Sequence, residues 1–146
     1  MKKLLLTVAV ASMFFTACKK EEEVITVSST SVAPKVIVNG VVKADIDKTN
    51  TVFETAPNGT VVIATATEGT QTYRFETTIQ NGAFRFELPT SNKGLNFDID
   101  FSDFSTDITT TLGTEKAVIY NATSISTGTV IGGTTLYVEN AYTEKY

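Results

Sequence analysis

Few side chains in this sequence can form covalent bonds or transfer protons near neutral pH. Cys18 is the only cysteine, and histidine is absent from all 146 residues. Ser-His-Asp triads, Cys-His pairs, histidine general bases and imidazole zinc sites all need residues that this chain lacks. What remains is carboxylate chemistry, such as the pair of acids that cleaves a glycoside, or no chemistry. The chain has many acids but neither an aromatic cleft nor the length for one, so we predict no catalytic residue, no cofactor and no enzymatic activity.

The densest group of carboxylates lies between residues 98 and 107 and is the candidate metal site. Calcium prefers several carboxylate oxygens that a loop brings together. The first two of the four aspartates alternate with apolar residues, however, and the spacing departs from the D-x-[DN]-x-[DN]-G calcium loop. We therefore expect a solvated face without a bound metal. The candidate ligands for calcium are Asp98, Asp100, Asp103 and Asp107.

The first seventeen residues have the three parts of a secretory signal: a basic start, an apolar run and small residues before a cleavage site. The basic part contains Lys2 and Lys3, and the apolar run covers residues 4–15. A membrane-spanning helix needs about 20 apolar residues, so this run is too short for a retained anchor. We predict that residues 1–17 are a signal peptide that is removed on export.

The end of this signal resembles a lipobox, the recognition site of lipoprotein signal peptidase. Thr16 and Ala17 supply the small residues and Cys18 accepts the lipid, while Phe15 departs from the usual aliphatic residue. A single cysteine in an exported chain otherwise indicates intermolecular pairing or a reactive thiol. The resemblance implies acylation of Cys18. Several acyl chains would hold the protein firmly on a membrane, since each buried methylene contributes about 0.8 kcal/mol.

Residues 18–34 have the composition of a flexible, lipidated tether that ends at Pro34, although residues 24–27 also suit an edge strand. The segment Lys20-Glu21-Glu22 resembles the export tag of surface-displayed lipoproteins in some Gram-negative bacteria. The alternative is a solvated charged linker. We expect a lipid anchor in the outer membrane and display on the cell surface, with a position facing the periplasm as the alternative.

The charge of the chain argues against nucleic acid as a partner. The formal net charge is −4, and removal of Lys2 and Lys3 with the signal peptide would make it −6. The other basic residues are scattered among carboxylates, whereas nucleic-acid binding depends on clustered Lys and Arg that neutralise phosphates. We therefore expect no nucleic-acid binding.

Residues 35–146 show the pattern of an all-β domain. Short runs rich in Val, Ile, Thr, Phe and Tyr are separated by Gly, Pro, Asn and Asp about every 8 to 12 residues, as in a sandwich or barrel. We predict a single antiparallel β-sandwich, transthyretin-like or immunoglobulin-like, with about seven or eight strands. Asn39-Gly40 is either a tight hairpin turn or a bulge in one long strand.

The clearest local pattern covers residues 73–88. Apolar and polar residues alternate on both sides of Asn81-Gly82, the preferred sequence of a two-residue hairpin turn. Such a hairpin would set Glu76 opposite Glu87, at a small like-charge cost. The predicted pairs on its other face, whose side chains are mainly apolar, are Ile79 with Phe84, Thr77 with Phe86 and Phe75 with Leu88.

Residues 35–104, roughly half of the chain, resemble the transthyretin-like β-sandwich, which includes carboxypeptidase regulatory-like domains. The matching parts are a strand with an internal glycine, a glycine turn before an apolar strand and an aromatic hairpin around a glycine. They cover residues 39–42, 58–62 and 80–89. The resemblance implies a structural or interaction module. Its enzymatic branch, hydroxyisourate hydrolysis, relies on histidine, which is absent here.

These observations favour a non-catalytic module at the cell envelope that acts in structure, adhesion or protein interaction. Tyr137, Tyr142 and Tyr146 are its candidate binding stripe, because tyrosine offers apolar area with a polar tip. The alternative is a small ligand- or ion-binding lipoprotein that serves an outer membrane transport complex. An apolar pocket would favour that alternative, whereas an exposed apolar patch or an open strand edge would favour protein binding.

Overall fold

The computed structural model describes residues 34–145, which form a β-sandwich without helices. Within these residues, no helix is long and apolar enough to cross a membrane. The ten strands are β1 (Lys35–Ala44), β2 (Glu54–Thr55), β3 (Val61–Glu68), β4 (Gln71–Thr78), β5 (Ala83–Pro89), β6 (Leu95–Phe101), β7 (Phe104–Thr109), β8 (Glu115–Asn121), β9 (Ile125–Val130) and β10 (Thr135–Glu144).

The strands form two packed sheets, so the predicted β-sandwich is confirmed, although it has ten strands instead of seven or eight and one of its strand pairs is parallel. Sheet 1 has the order β2-β1-β10-β8-β7, and sheet 2 has the order β4-β3-β6-β9. In sheet 1, β5 pairs with residues 35–41 of β1 and β2 with residues 43–44, so these two strands share one edge of β1. On the other edge, β10 runs parallel to β1, whereas the other strand pairs are antiparallel.

The core lies between the sheets and follows the alternation of the sequence, because successive side chains of a strand point to opposite faces. β3 lies between β4 and β6 as an interior strand of sheet 2. Its inner face is buried in the core, whereas its outer face is only half-buried. Fully buried core residues include Val36, Val38, Val42, Val62, Ala64, Ile79, Leu88, Phe97 and Ile99.

The predicted hairpin over residues 73–88 is wrong, although its turn is present. Gln80 and Ala83 exchange two backbone hydrogen bonds of 2.8 and 3.0 Å. Asn81 and Gly82 have φ angles of 51° and 73°, as a type I′ turn requires. However, β4 pairs with β3 in sheet 2, whereas β5 pairs with β1 in sheet 1. The turn is therefore an arch between the two sheets.

Burial and charge explain why the two strands separate. A turn fixes only its own residues, and each strand then pairs where its apolar face is best covered. The separation also keeps Glu76 and Glu87 in different sheets. Each pairs with an arginine of its own strand, Glu76 with Arg74 and Glu87 with Arg85 at 3.0 Å. The inward side chains of β5 are all buried in the core: Phe84, Phe86 and Leu88.

Asn39-Gly40 is neither a hairpin turn nor a bulge. β1 passes through it as one strand, and its register with both β5 and β10 is unbroken. β1 is consequently an interior strand of sheet 1, and its residues 37–44 pair with β10.

Candidate functional site

Several sequence predictions concern residues outside 34–145. They are the signal peptide, acylation of Cys18, the tether with its edge-strand segment at 24–27, and the role of Tyr146. These stay predictions.

The four aspartates of the candidate metal site are spread over both sheets. Asp98 and Asp100 lie on β6 in sheet 2, and Asp107 is exposed on β7 in sheet 1. Asp103 pairs with Lys145 Nζ at 2.7 Å. In the described part of the chain, no three metal-ligating side chains come together. The fold therefore does not assemble this site.

Tyr137 and Tyr142 lie on opposite faces of β10, so the predicted binding stripe is wrong. Tyr137 is 82% exposed, whereas Tyr142 is 1% exposed and donates a hydrogen bond to the Ser102 carbonyl at 2.8 Å. Burial, with a smaller effect from the charge of Asp103, raises the pKa of Tyr142 to about 12. Tyr142 is thus a core residue, and of the two Tyr137 is the candidate for binding.

The outer face of sheet 1 carries a group of exposed side chains that we call the Tyr137 face: Val41, Lys43, Phe53, Tyr137 and Glu139. Val41 is 45% exposed, and Phe53, which lies in the loop between β1 and β2, is 50% exposed. Lys43 Nζ lies 3.0 Å from Glu139 Oε1 and links β1 to β10. Apolar side chains therefore flank a solvent-exposed ion pair.

Two open grooves meet at the Lys43–Glu139 ion pair, which lines both. The larger groove, of about 960 Å³, extends past Tyr137 towards Arg85 on β5. The smaller groove, of about 600 Å³, lies against Phe53. Sites for small ligands usually enclose most of the ligand surface, whereas these grooves lie open on a sheet face. Their shape suits contact with another protein.

Next to this face, one edge of β10 carries main-chain groups without a strand partner among the described residues. The Ile37 N–H donates to the Thr134 carbonyl at 3.0 Å. The even-numbered residues of β10 therefore direct their main-chain N–H and C=O groups towards β1. The odd-numbered residues direct their N–H and C=O groups to the other edge. There β8 pairs only with Thr143 and Glu144. The edge is therefore open over residues 135–139.

A partly shielded cluster of charges lies where the chain after β1 meets the end of β10. Lys48 Nζ lies 2.9 Å from Asp45 Oδ2 and 2.8 Å from Glu144 Oε1, and the lysine side chain is 26% exposed. Burial alone would lower the pKa of Lys48, but the hydrogen bonds to Glu144 and Asp45 outweigh it and raise the pKa. A lysine held as a cation is neither a nucleophile nor a base. The cluster therefore serves to tie the strand ends together.

Most of this surface has no local signal in the sequence, since no pattern around Val41 or Phe53 indicates that either side chain is exposed. The alternation Thr-Leu-Tyr-Val-Glu over residues 135–139 does indicate that Tyr137 points away from the core. The open edge has no local signal, because it depends on where β8 ends against β10.

Comparison with known proteins leaves the function to be argued from these residues. No protein-family model matches the chain, and a search of curated proteins finds no significant match.

Proposed function

We propose that this protein is a lipid-anchored lipoprotein that binds other proteins through the Tyr137 face and carries out no catalysis. The observation that carries the proposal is the 82% exposure of Tyr137 on the outer face of sheet 1. Contiguous apolar area on a soluble domain marks an interaction site more often than scattered single residues do. Tyr137 and Val41 line one groove together and supply such area, and Phe53 adds apolar area on the other side of the Lys43–Glu139 ion pair.

The composition of the face suits a protein partner. Burial of an exposed apolar side chain contributes about 1.5–3 kcal/mol, and aromatic residues are the usual anchors of an interface. The Lys43–Glu139 ion pair adds a polar element that orients a partner more than it adds affinity. The face thus combines an aromatic anchor with a polar element that can favour one orientation.

The proposed lipid on Cys18 complements this surface. Residues 18–34, when extended, reach up to roughly 55 Å, which is enough to hold the sandwich clear of the headgroups. A module confined to a membrane meets its partners at a raised effective concentration, so a modest affinity is sufficient. Display on the cell surface is the favoured placement in this proposal, and the periplasmic face is the alternative.

The ionisable groups support a role without catalysis. Hydrogen bonds from Thr49 hold the pKa of Asp47 below its usual value, and those from Arg85 and Lys35 do the same for Glu87. A carboxylate that acts as a general base near neutral pH needs a raised pKa instead. These shifts fit residues that stabilise turns and sheet surfaces.

Photo-crosslinking in intact cells tests the proposal. A photoreactive phenylalanine analogue replaces Val41 or Phe53, and the control position is Asp98, which is exposed on β6 in sheet 2. We expect a protein adduct from the first two positions and none from the control. Equal labelling at all three positions would contradict the proposal. A complete lack of adducts would do the same and would favour a carrier of small ligands.

A charged substitution separates binding from folding. Val41→Glu introduces a carboxylate into the apolar part of the face at a residue that is 45% exposed. We expect it to remove the adduct formed at Phe53 while leaving the melting temperature almost unchanged. An undiminished adduct would show that Val41 is not part of the contact.

A further inference from the structure

We infer that the open edge of β10 pairs with the same edge of a second copy of this chain, antiparallel and about a twofold axis beside Tyr137. The inference rests on the proposed function and deepens it by naming one partner. In a twofold interface the same patch is used on both copies, so the patch must be complementary to itself. Residues 135–139 meet this condition in the main chain, in the side chains and in charge.

The free main-chain groups have the spacing of an antiparallel ladder. Thr135, Tyr137 and Glu139 direct N–H and C=O outward, whereas Leu136 and Val138 direct theirs to β1. In an antiparallel ladder, opposed residues exchange two hydrogen bonds at every second position. A ladder centred on Tyr137 opposes the two copies of Tyr137 and sets Thr135 opposite Glu139. All three outward residues are then used, which gives about six hydrogen bonds.

The side chains fit the same register. Leu136 lies opposite Val138 of the second copy, and both residues already pack against the core on the inner face. On the outer face the two Tyr137 rings are neighbours, and an aromatic cross-strand pair contributes favourably. A register centred on Glu139 would oppose two carboxylates and is disfavoured. Charge and hydrogen bonding therefore both select the register centred on Tyr137.

The edge strand of sheet 2 that precedes β10 in the chain is less suited to such pairing. In β9 the register with β6 shifts between Asn96 and Asp98, and Gly128 has a φ of 66°. Bulges and bends of this kind protect an edge against the addition of another strand. β10 is instead regular, with a continuous register of residues 135–142 against β1.

The proposed tethers allow both copies to reach one membrane. A Cβ atom on Gly132 would lie 2.1 Å from Pro34 Cβ, so the chain enters the sandwich beside the turn that precedes β10. The twofold axis at Tyr137 places the two Pro34 residues about 35 Å apart, given about 3.4 Å per strand residue. Each tether reaches up to roughly 55 Å.

Cysteine crosslinking on membranes tests the pairing. Tyr137→Cys in the full chain is treated with a short bismaleimide, and Asp98→Cys, at an exposed position on β6, is the control. We expect a crosslinked dimer from the first and none from the second. Adding Glu139→Pro to Tyr137→Cys removes an outward N–H but no hydrogen bond to β1, so the dimer should be lost while the fold is kept. Equal crosslinking of Tyr137→Cys and Asp98→Cys would overturn the inference.

A charge exchange at Thr135 provides a second test that does not depend on proline. Thr135→Lys would face Glu139 of the second copy and strengthen the dimer, whereas Thr135→Glu would weaken it. Two symmetric contacts should change the dissociation constant by about 2- to 30-fold in each direction. Analytical ultracentrifugation of the Cys18→Ala chain measures this change. A monomer at all concentrations up to about 1 mM, or equal effects of both variants, would overturn the inference.

The two proposals fail in different ways. If the dimer is absent but the adducts at Val41 and Phe53 persist, the inference fails and the proposed function stands. If those adducts are absent, the proposed function fails whatever the oligomeric state.

Discussion

Gly40 leaves the space that the ring of Phe84 occupies. A Cβ atom on Gly40 would lie 2.0 Å from Phe84 Cε1, and the two residues are opposite each other where β1 pairs with β5. The ring is 5% exposed and packs edge-on against Phe86 and Phe101, with centroids 5.8 and 5.7 Å away. The absence of a side chain on β1 therefore positions an aromatic group that both sheets share.

Gly40→Ala is expected to lower the free energy of unfolding by about 1–3 kcal/mol, because the added methyl group forces the Phe84 ring out of its packing. Urea unfolding followed by circular dichroism measures the change. The control is Val41→Ala on the exposed face of the same strand, which should cost no more than about 0.5 kcal/mol. Equal losses of stability in the two variants would show that Gly40 is not needed to accommodate the Phe84 ring.

Lys48→Met should destabilise the domain by about 1–3 kcal/mol, because it leaves Asp45 and Glu144 without their cation. The lysine is 26% exposed, so the cost should be below that of breaking a fully buried pair. Lys43→Met is the matched control, since its ion pair with Glu139 is exposed and should contribute about 0.5 kcal/mol or less. Denaturant unfolding of the two variants gives the comparison, and a larger loss of stability for Lys43→Met would contradict a stabilising role of the Lys48 cluster.

Tyr142 should make the folded state sensitive to alkaline pH. Burial raises its pKa from 10.0 to about 12, so the folded chain keeps a proton that the unfolded chain releases. The stability from this group is complete below pH 10 and declines as pH rises from 10 towards 12. Tyr142→Phe should flatten this decline, whereas Tyr137→Phe on the exposed face should not. The measurement is the free energy of unfolding as a function of pH across this range. If its slope against pH is the same in both variants, Tyr142 is not the source of the decline.

Cys18→Ala should move the protein from the membrane fraction to the soluble fraction, because the proposed lipid is its anchor. Each acyl methylene contributes about 0.8 kcal/mol to membrane binding, so loss of the chains removes nearly all affinity. Fractionation of cells by ultracentrifugation measures this, and Ser31→Ala is a control that keeps the thiol. A Cys18→Ala protein that still sediments with membranes would rule out the lipid anchor.

Replacement of Lys20, Glu21 and Glu22 by alanine tests surface display apart from acylation. If these charges are an export tag, the variant stays with the membrane but becomes protected from protease added to intact cells, while the unmodified chain is degraded. Immunoblotting after protease treatment reports the difference. Protection of the unmodified chain would indicate a position facing the periplasm.

The β-sandwich was predictable because its strong strands carry their period in their residues. Phe97 and Ile99 alternate with Asp98 and Asp100, and the structure buries the first pair and leaves the second on the outer surface. β7 and β9 have weaker local signals because Ser and Thr make up half of each strand and alternate little in polarity with their neighbours, and β2 is only two residues long. The Tyr137 face was not predictable, since its members come from two strands and a loop.

The residue types and their spacing determine those features of this chain that depend on only a few neighbouring residues. Asn81-Gly82 makes a type I′ turn wherever its strands go, the parity of residues 135–139 turns Tyr137 outward, and the lack of histidine excludes imidazole chemistry. Long-range packing settles the rest. β4 and β5 part after their turn, β10 lies parallel to β1, and β8 stops short of residues 135–139. The reason is physical: a turn depends on contacts within four residues, whereas a strand's partner is chosen by competition among all edges for the greatest apolar burial.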